Sequence, residues 1–319
     1  MGADGTYPIK AKKPRSASSR PAQLNLIDPQ QDISAQIVRG DCIQELKKLP
    51  SNHFGLVVTS PPYFIGKAYD TSKSVDSFLE LHRKLFPEIV RVLKPGGSIC
   101  WQVGYHVTNN RVVPLDYLVH QAASEQSELV LRNRIIWTIR HGIHSRARFS
   151  GRHEVVLWYT KGKLYTFDLD SVRVAQLYPG KKSYKGTNRG RHSGNPLGKN
   201  PSDVWDIPNV KALHPEKTEH PCQFPTALVR RLVRALCPKG DWVLDPFAGS
   251  GSAGVAAIVE KRSFLGVEKK ARYATIARKR LEAALEGTPR IREDVPVRSP
   301  KEGEAVARRP DHFKVNCEV

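Results

Sequence analysis

The sequence predicts an α/β protein built on a doubly wound, mostly parallel sheet. Short apolar runs alternate with helical patterns between residues 35 and 286, a rhythm typical of successive βαβ units. Two of the apolar runs stop at unusual loops, residues 59–63 (Thr-Ser-Pro-Pro-Tyr) and residues 245–251 (Asp-Pro-Phe-Ala-Gly-Ser-Gly). A rigid loop and a glycine-rich loop, each placed at the end of a strand, indicate a binding site carried by this sheet.

The strands and helices follow from the spacing of the apolar residues. Residues 81, 85, 89 and 93 are all aliphatic, so 77–93 is predicted to form an amphipathic helix, which the sequence Lys-Pro-Gly-Gly at 94–97 ends. Other helices are predicted near 226–236, 252–261 and 270–286. Seven strands are predicted at 35–38, 55–58, 98–103, 133–137, 155–159, 242–244 and 264–267.

The composition favours a polyanionic partner. The 319 residues include 51 Lys and Arg against 31 Asp and Glu, which gives a formal charge of +20. Each phosphate that such a protein neutralises releases condensed counterions. The sequence contains no run of 18 apolar residues, so no membrane span is expected, and the first 35 residues lack the apolar core of a signal peptide.

The cysteines indicate a reducing environment. There are five of them and none forms a C-x-x-C pair, which argues against a disulfide framework and against a structural zinc site. We therefore expect a cytoplasmic protein without a bound metal.

Two segments concentrate positive charge. Residues 132–152 hold six arginines and residues 178–199 hold six Lys and Arg, and neither segment contains an acid. The second lies in a long stretch, 168–215, that breaks the βα rhythm, and such loops are usually functional or disordered. DNA contacts are expected from Arg140, Arg146, Arg148, Arg152, Lys181, Lys182, Lys185, Arg189 and Arg191. Residues 1–35 are predicted to be a flexible basic arm, and residues 287–319 a flexible, nearly neutral tail.

The loop at 59–63 suits an amino group on a flat ring. Pro61 and Pro62 remove two N–H groups and stiffen the backbone while their carbonyls can still accept. The Ser60 hydroxyl and the Pro61 carbonyl could accept from the two N–H bonds of an exocyclic amine, which directs the nitrogen lone pair at an electrophilic methyl group. Tyr63 offers a ring on which an extruded base can stack. The four residues are the predicted catalytic set.

The loop at 245–251 suits a small charged cofactor. It lies between a predicted strand and a predicted helix, where backbone N–H groups collect, and it matches neither the Walker nor the dinucleotide fingerprint. Gly249 and Gly251 permit close approach of a ligand, Phe247 can cover a flat ring and Asp245 can accept from an ammonium group. Glu268 ends the next strand and is placed for ribose hydroxyls, as in Rossmann folds.

These motifs resemble those of the S-adenosylmethionine-dependent DNA amino-methyltransferases. The sequence Val-Val-Thr-Ser-Pro-Pro-Tyr at 57–63 is similar to their catalytic motif, and residues 243–251 are similar to their cofactor motif. The match covers residues 36–285 and includes further motifs. Asp41 belongs to a segment that in relatives contacts the cofactor adenine, and His153-Glu154 resembles one of the structural motifs of the family. The resemblance implies S-adenosyl-L-methionine as the cofactor, with Thr226 at the methionine carboxylate.

The order of the motifs implies the beta subgroup, in which the catalytic loop precedes the recognition insert and the cofactor loop. The resemblance then implies a permuted seven-stranded methyltransferase sheet with a catalytic half at 36–167, a target-recognition insert at 168–215 and a cofactor half at 216–286. Double-stranded DNA is the implied partner. Dimers are common in the subgroup, and a cognate restriction endonuclease acting on the same site would complete a restriction-modification system.

The residue at position 60 bears on the target base. Relatives that methylate adenine N6 usually carry Asp where this chain has Ser60, and Ser-Pro-Pro-Tyr is more typical of enzymes acting on cytosine N4. We therefore expect cytosine-N4 methylation, with adenine-N6 methylation as the alternative, because both amines present two N–H donors.

Other functions remain to be distinguished. Cytosine-C5 methylation would use a cysteine that follows a proline, as Cys222 does, but Cys222 precedes the cofactor loop within a motif that already accounts for it. Methyltransferases acting on protein or RNA usually place the cofactor loop first. A catalytically silent DNA-binding protein on the same fold is disfavoured by the intact Ser60, Tyr63, Gly249 and Gly251.

Overall fold

The computed structural model describes residues 33–292 except 64–73, 109, 140, 141, 143, 177 and 179. The helices are α1 (Cys42–Leu46), α2 (Val75–Val92), α3 (Leu115–Ser124), α4 (Thr226–Leu236), α5 (Ser252–Val259) and α6 (Ala271–Leu285). The strands are β1 (Ala35–Arg39), β2 (Phe54–Thr59), β3 (Leu93–Val103), β4 (Tyr105–Thr108), β5 (Arg111–Pro114), β6 (Leu129–Thr138), β7 (His153–Lys161), β8 (Val204–Asp206), β9 (Trp242–Asp245) and β10 (Ser263–Glu268).

Eight of these strands form one sheet in the order β1-β10-β9-β2-β3-β7-β6-β8. All neighbouring pairs are parallel except the two that involve β7, so β7 alone runs against the other seven. The prediction of a mostly parallel α/β sheet is confirmed. The sheet has one strand more than the seven predicted, because the short β8 pairs with β6 at the edge.

Helices cover both faces of the sheet, as a doubly wound fold requires. Along β2, Leu56 and Val58 belong to a core that includes residues of α4, α5 and α6, whereas Val57 belongs to a second core with residues of α1, α2 and α3. Successive side chains of a strand point to opposite faces, and all three of these residues are at most 2% exposed. Burial of this kind stabilises a domain by roughly 25 cal/mol per Å² of apolar surface.

The predicted insert, residues 168–215, is irregular over most of its length. Isolated bridges join Val174 to Lys199 and Lys182 to His192. Its end nevertheless belongs to the main sheet, since β8 pairs with β6 and the Trp137 Nε1–H donates to the Ile207 carbonyl at 2.7 Å. The boundary of the sheet domain therefore lies before β8, inside the stretch predicted as an insert.

The predicted arm falls outside the described residues up to residue 32, and the predicted tail does so from residue 293 onward. At the start of the tail, the Arg292 N–H donates to Glu216 Oε1 at 3.2 Å, and Ile291 packs against the core. Among the described helices, none has the length and apolar character needed to cross a bilayer.

Candidate active site

The two unusual loops lie side by side because their strands are neighbours. Strand β2 pairs with β9 through Leu56–Val243 and Val57–Leu244, and β9 pairs in parallel with β10. Loops after parallel strands emerge at the same edge of a sheet, which is where open α/β sheets bind ligands. A cavity of about 1150 Å³ opens at this edge. The predicted site residues that line it are Asp41, Ser60, Pro61, Pro62, Tyr63, Arg148, Phe247, Gly249 and Glu268.

A buried hydrogen bond ties the two loops together. The Thr59 hydroxyl donates to Asp245 Oδ1 at 2.5 Å, and both residues are fully buried. The same carboxylate oxygen accepts from the Phe247 N–H at 3.0 Å. The last residue of β2 therefore fixes the position of the cofactor loop relative to the Ser-Pro-Pro-Tyr loop.

The Asp245 carboxyl is the most perturbed acid of the site. Its burial raises its pKa to about 7, and the hydrogen bonds from Thr59 and Phe247 only partly oppose this shift. Its second oxygen, Oδ2, is buried and accepts no hydrogen bond from the described residues. A buried acceptor without a donor is costly, so this oxygen is suited to a donor brought by a ligand.

Tyr63 is held by a network of side-chain hydrogen bonds that was not predicted from the sequence. The Gln102 side-chain N–H donates to the Tyr63 hydroxyl at 3.1 Å and also to the Glu154 carboxylate. Burial raises the pKa of Tyr63 well above its ordinary value, the nearby Glu154 adds to the rise, and a hydrogen bond with Ser60 opposes it. The hydroxyl is therefore neutral at physiological pH. Gln102 and Glu154 both line the cavity.

The cofactor side of the cavity is built from backbone turns and carboxylates. Gly249 and Gly251 have φ of +51° and +78°, values that L side chains rarely adopt. Glu268 Oε2 accepts from the Gly249 N–H at 3.0 Å, and burial raises the pKa of Glu268. Asp41 Oδ1 caps helix α1 by accepting from the Ile43 N–H at 3.2 Å. One face of the site thus carries two carboxylates and a glycine turn.

Three of the predicted cofactor residues do not line the cavity. Asp245 and Gly251 are buried, and Gly251 packs close to Ala277 and Leu281 of α6. Thr226 is also fully buried, and both its N–H and its hydroxyl donate to Glu216 Oε2, at 2.9 and 2.7 Å. The Thr226 hydroxyl thus has a protein partner in Glu216, and its contact with the methionine carboxylate stays a prediction.

The predicted DNA-binding residues fall into two groups. Arg146, Arg148 and Arg152 lie on the loop between β6 and β7, of which Arg148 lines the cavity, whereas Arg140 lies outside the described residues. The members of the other group, on the bridged loop of the insert, do not line the cavity: Lys181, Lys182, Lys185, Arg189 and Arg191. The first group is thus joined to the site, and the second is a separate basic surface.

Comparison with known proteins identifies the family. The sequence pattern of a protein family described as DNA methylase matches residues 54–279, which are more than half of the chain. The type II methyltransferase M.BglII of Bacillus subtilis is 42% identical over 250 residues, which are 78% of this chain and 69% of that protein. M.ScaI of Streptomyces caespitosus is 38% identical over 255 residues, 77% of this chain and 81% of that protein. This chain therefore belongs to the DNA methylase family.

Further relatives extend the comparison. The DNA adenine methyltransferase YhdJ of Escherichia coli K12 is 31% identical over 253 residues, 78% of this chain and 83% of its own. The structure of a DNA modification methylase from Thermus thermophilus, complexed with S-adenosyl-L-methionine, has 26% identity and a TM-score of 0.56 and covers 80% of this chain and 97% of its own. The cytosine-N4-specific PvuII DNA methyltransferase shares the fold at 19% identity, with a TM-score of 0.60 over 80% of this chain and 92% of its own.

Proposed function

We propose that this protein transfers a methyl group from S-adenosyl-L-methionine to the exocyclic N4 of cytosine in duplex DNA. The observation that carries the proposal is the shared cavity, which the Ser-Pro-Pro-Tyr loop and the loops after β9 and β10 line together. Membership of the DNA methylase family supports the reaction type. The relative that is complexed with S-adenosyl-L-methionine supports the cofactor.

The residues of the cofactor side fit an amino-acid nucleoside. Asp245 does not itself line the cavity, but its neighbours Pro246 and Phe247 do; its Oδ2 is a buried acceptor with no donor among the described residues, so we assign the ammonium group to it. Glu268 and Asp41 line the cavity and can accept from the ribose hydroxyls and the adenine amine, and Phe247 can cover the adenine ring. When bound, S-adenosyl-L-methionine supplies a methyl group activated by its sulfonium.

The residues of the catalytic side orient the amine. The Ser60 hydroxyl and the Pro61 carbonyl would accept from the two N–H bonds of the target, which leaves the nitrogen lone pair free to attack. Tyr63 would stack on the flipped base, and Gln102 fixes the ring by donating to its hydroxyl. Such positioning lowers the barrier without a covalent enzyme intermediate.

The choice of base rests on Ser60. Adenine-N6 enzymes of this family usually carry Asp at that position, so a hydroxyl there favours cytosine N4. Adenine N6 is the alternative, and the 31% identity to a relative named a DNA adenine methyltransferase favours it. The second alternative, a catalytically silent DNA-binding protein, would keep the fold but bind no S-adenosyl-L-methionine.

The wider biological setting is proposed on the same basis. The relatives M.BglII and M.ScaI are named type II methyltransferases, which supports a role in a restriction-modification system with a cognate endonuclease. The formal charge of +20 and the arginines beside the cavity support duplex DNA as the substrate. A cytoplasmic location at the nucleoid and a homodimer complete the proposal.

The nucleoside product tests the proposal. Purified protein and S-adenosyl-L-methionine are incubated with unmethylated plasmid DNA, which is then digested to nucleosides and analysed by mass and chromatography against standards. The expected product is N4-methylcytosine. N6-methyladenine would overturn the choice of base, 5-methylcytosine would overturn amino methylation, and the absence of any product together with no cofactor binding would favour the silent protein. Sequencing the methylated plasmid then gives the target site.

A further inference from the structure

The loop between β6 and β7 carries an aromatic side chain that no described residue covers. Phe149 is 100% exposed, although phenylalanine is normally among the buried residues. His144, Ser145, Arg148 and Gly151 of the same loop line the cavity. The exposed ring therefore belongs to a loop that borders the cavity in which the target base is proposed to sit.

The backbone around Phe149 is held in place. The Ser145 N–H donates to Ser150 Oγ at 3.1 Å, which closes the loop across its tip. The Arg148 guanidinium lies over the Tyr105 ring at 5.9 Å and donates to the Phe149 carbonyl at 3.3 Å. A side chain at Gly151 would overlap Tyr105, because its Cβ would lie 1.5 Å from the Tyr105 hydroxyl. A tied loop thus presents a fully exposed ring.

The surroundings of Phe149 indicate what the ring contacts. Arg146 and Arg148 precede it and Arg152 follows it on the same loop, within the acid-free segment 132–152. Guanidinium groups attract phosphates, whereas an exposed phenyl ring gains stability only against an apolar surface. The base stack of a DNA duplex offers both features, since its apolar bases lie between two rows of phosphates.

We propose that Phe149 enters the duplex and fills the space that the target base leaves when it flips into the cavity. Flipping removes the stacking and pairing of one base, and an apolar side chain inserted into the stack offsets part of that loss. The tied loop would hold the ring in the inserted position without a large change of the backbone. This role presupposes the DNA methylation proposed above and adds to it the residue that stabilises the flipped state.

The test uses a duplex that carries the target site, with 2-aminopurine next to the target base and no methyl donor. Wild-type protein should raise the fluorescence of 2-aminopurine, because flipping and insertion disturb its stacking. Phe149→Ala should lower the apparent affinity for this duplex on the order of ten-fold and reduce the signal at saturation, because base–aromatic stacking has this magnitude. The loss should shrink on a duplex with a mismatched target base, since flipping is easier there. Phe149→Leu should retain much of the signal.

Two controls separate the outcomes. Leu213 is 99% exposed and follows the cavity-lining Lys211 by two residues, so Leu213→Ala is a matched removal of an exposed apolar side chain and should leave the signal unchanged. Phe149→Ala should unfold at the wild-type temperature because it removes no buried packing. An unchanged fluorescence signal in Phe149→Ala, or an equal loss on matched and mismatched targets, would overturn the insertion role. Methylation of DNA by Phe149→Ala would show that the proposed function stands even if this role fails.

Discussion

Replacing Asp245 by Asn tests the electrostatics of the site. The folded protein raises the pKa of this carboxyl from 3.8 to about 7, chiefly through burial. Asn keeps an oxygen that can accept from the Thr59 hydroxyl and the Phe247 N–H, but it cannot ionise. Any dependence of stability on pH that is caused by Asp245 must therefore disappear in Asp245→Asn.

The sign and size of the effect follow from linkage. Between the two pKa values the folded protein holds a proton that the unfolded chain has lost, so the contribution of Asp245 to stability falls as pH rises through this range. Each pKa unit corresponds to about 1.4 kcal/mol, so ionisation of the folded protein costs on the order of 4 kcal/mol in full. About 2–3 kcal/mol of this change falls between pH 5 and pH 8.

Urea unfolding at several pH values measures this change. The free energy of unfolding of Asp245→Asn, relative to wild type, should rise by about 2–3 kcal/mol from pH 5 to pH 8, while other titrating groups cancel in the difference. Calorimetry measures the affinity of both proteins for S-adenosyl-L-methionine. The ratio of the wild-type affinity to that of Asp245→Asn should rise about ten-fold from pH 6 to a plateau above pH 7. A stability difference that is the same at pH 5 and pH 8 would refute the raised pKa.

Other substitutions test separate parts of the molecule. Changing Lys181 and Lys182 to Gln should reduce the slope of log affinity for DNA against log salt by about two if each lysine contacts one phosphate; an unchanged slope, measured by fluorescence anisotropy, would exclude these contacts. Burial lowers the pKa of His82 to about 4, and its Nε2 accepts from Trp101 Nε1 at 3.0 Å. His82→Phe should therefore cost about 1–3 kcal/mol in unfolding free energy at pH 8, and this loss should diminish as pH falls from 6.5 towards 4, since wild-type His82 resists protonation. Cys222→Ser should retain wild-type turnover and its product in the nucleoside assay, whereas loss of product would revive a cysteine nucleophile.

The central buried strands could be predicted because their apolar runs are continuous. Strands β2, β9 and β10 are largely buried and coincide with their predicted ranges to within one residue at each end, whereas the longer β3 and β6 begin five and four residues before their predicted starts. Strand β8 has only three residues, and its central Trp205 alone is buried, so no apolar pattern marks it. The direction of β7 could not be predicted either, because the side-chain period of a buried strand is the same in parallel and antiparallel pairs.

The parts of the site formed by consecutive residues could be predicted from the sequence, whereas contacts between residues far apart in the chain could not. The two loops are marked by their composition and by the strands before them. Gln102 and Glu154 are 52 residues apart, and the antiparallel register of β3 and β7 brings them together. The one local signal for Gln102 was a polar residue near the end of an apolar strand. Likewise, nothing in the sequence near Thr226 shows that the buried Glu216 accepts its hydrogen bonds.

We propose that the loops around the cavity divide it between the target base and the methyl donor, and one paired measurement tests this division. The dissociation constant of S-adenosyl-L-methionine and the rate of DNA methylation are determined for Tyr63→Ala, with Glu268→Ala as the matched variant on the cofactor side. Tyr63→Ala should lose turnover while it keeps the wild-type dissociation constant, and Glu268→Ala should weaken cofactor binding. Equal losses of affinity and turnover in Tyr63→Ala would contradict the assignment of this ring to the base.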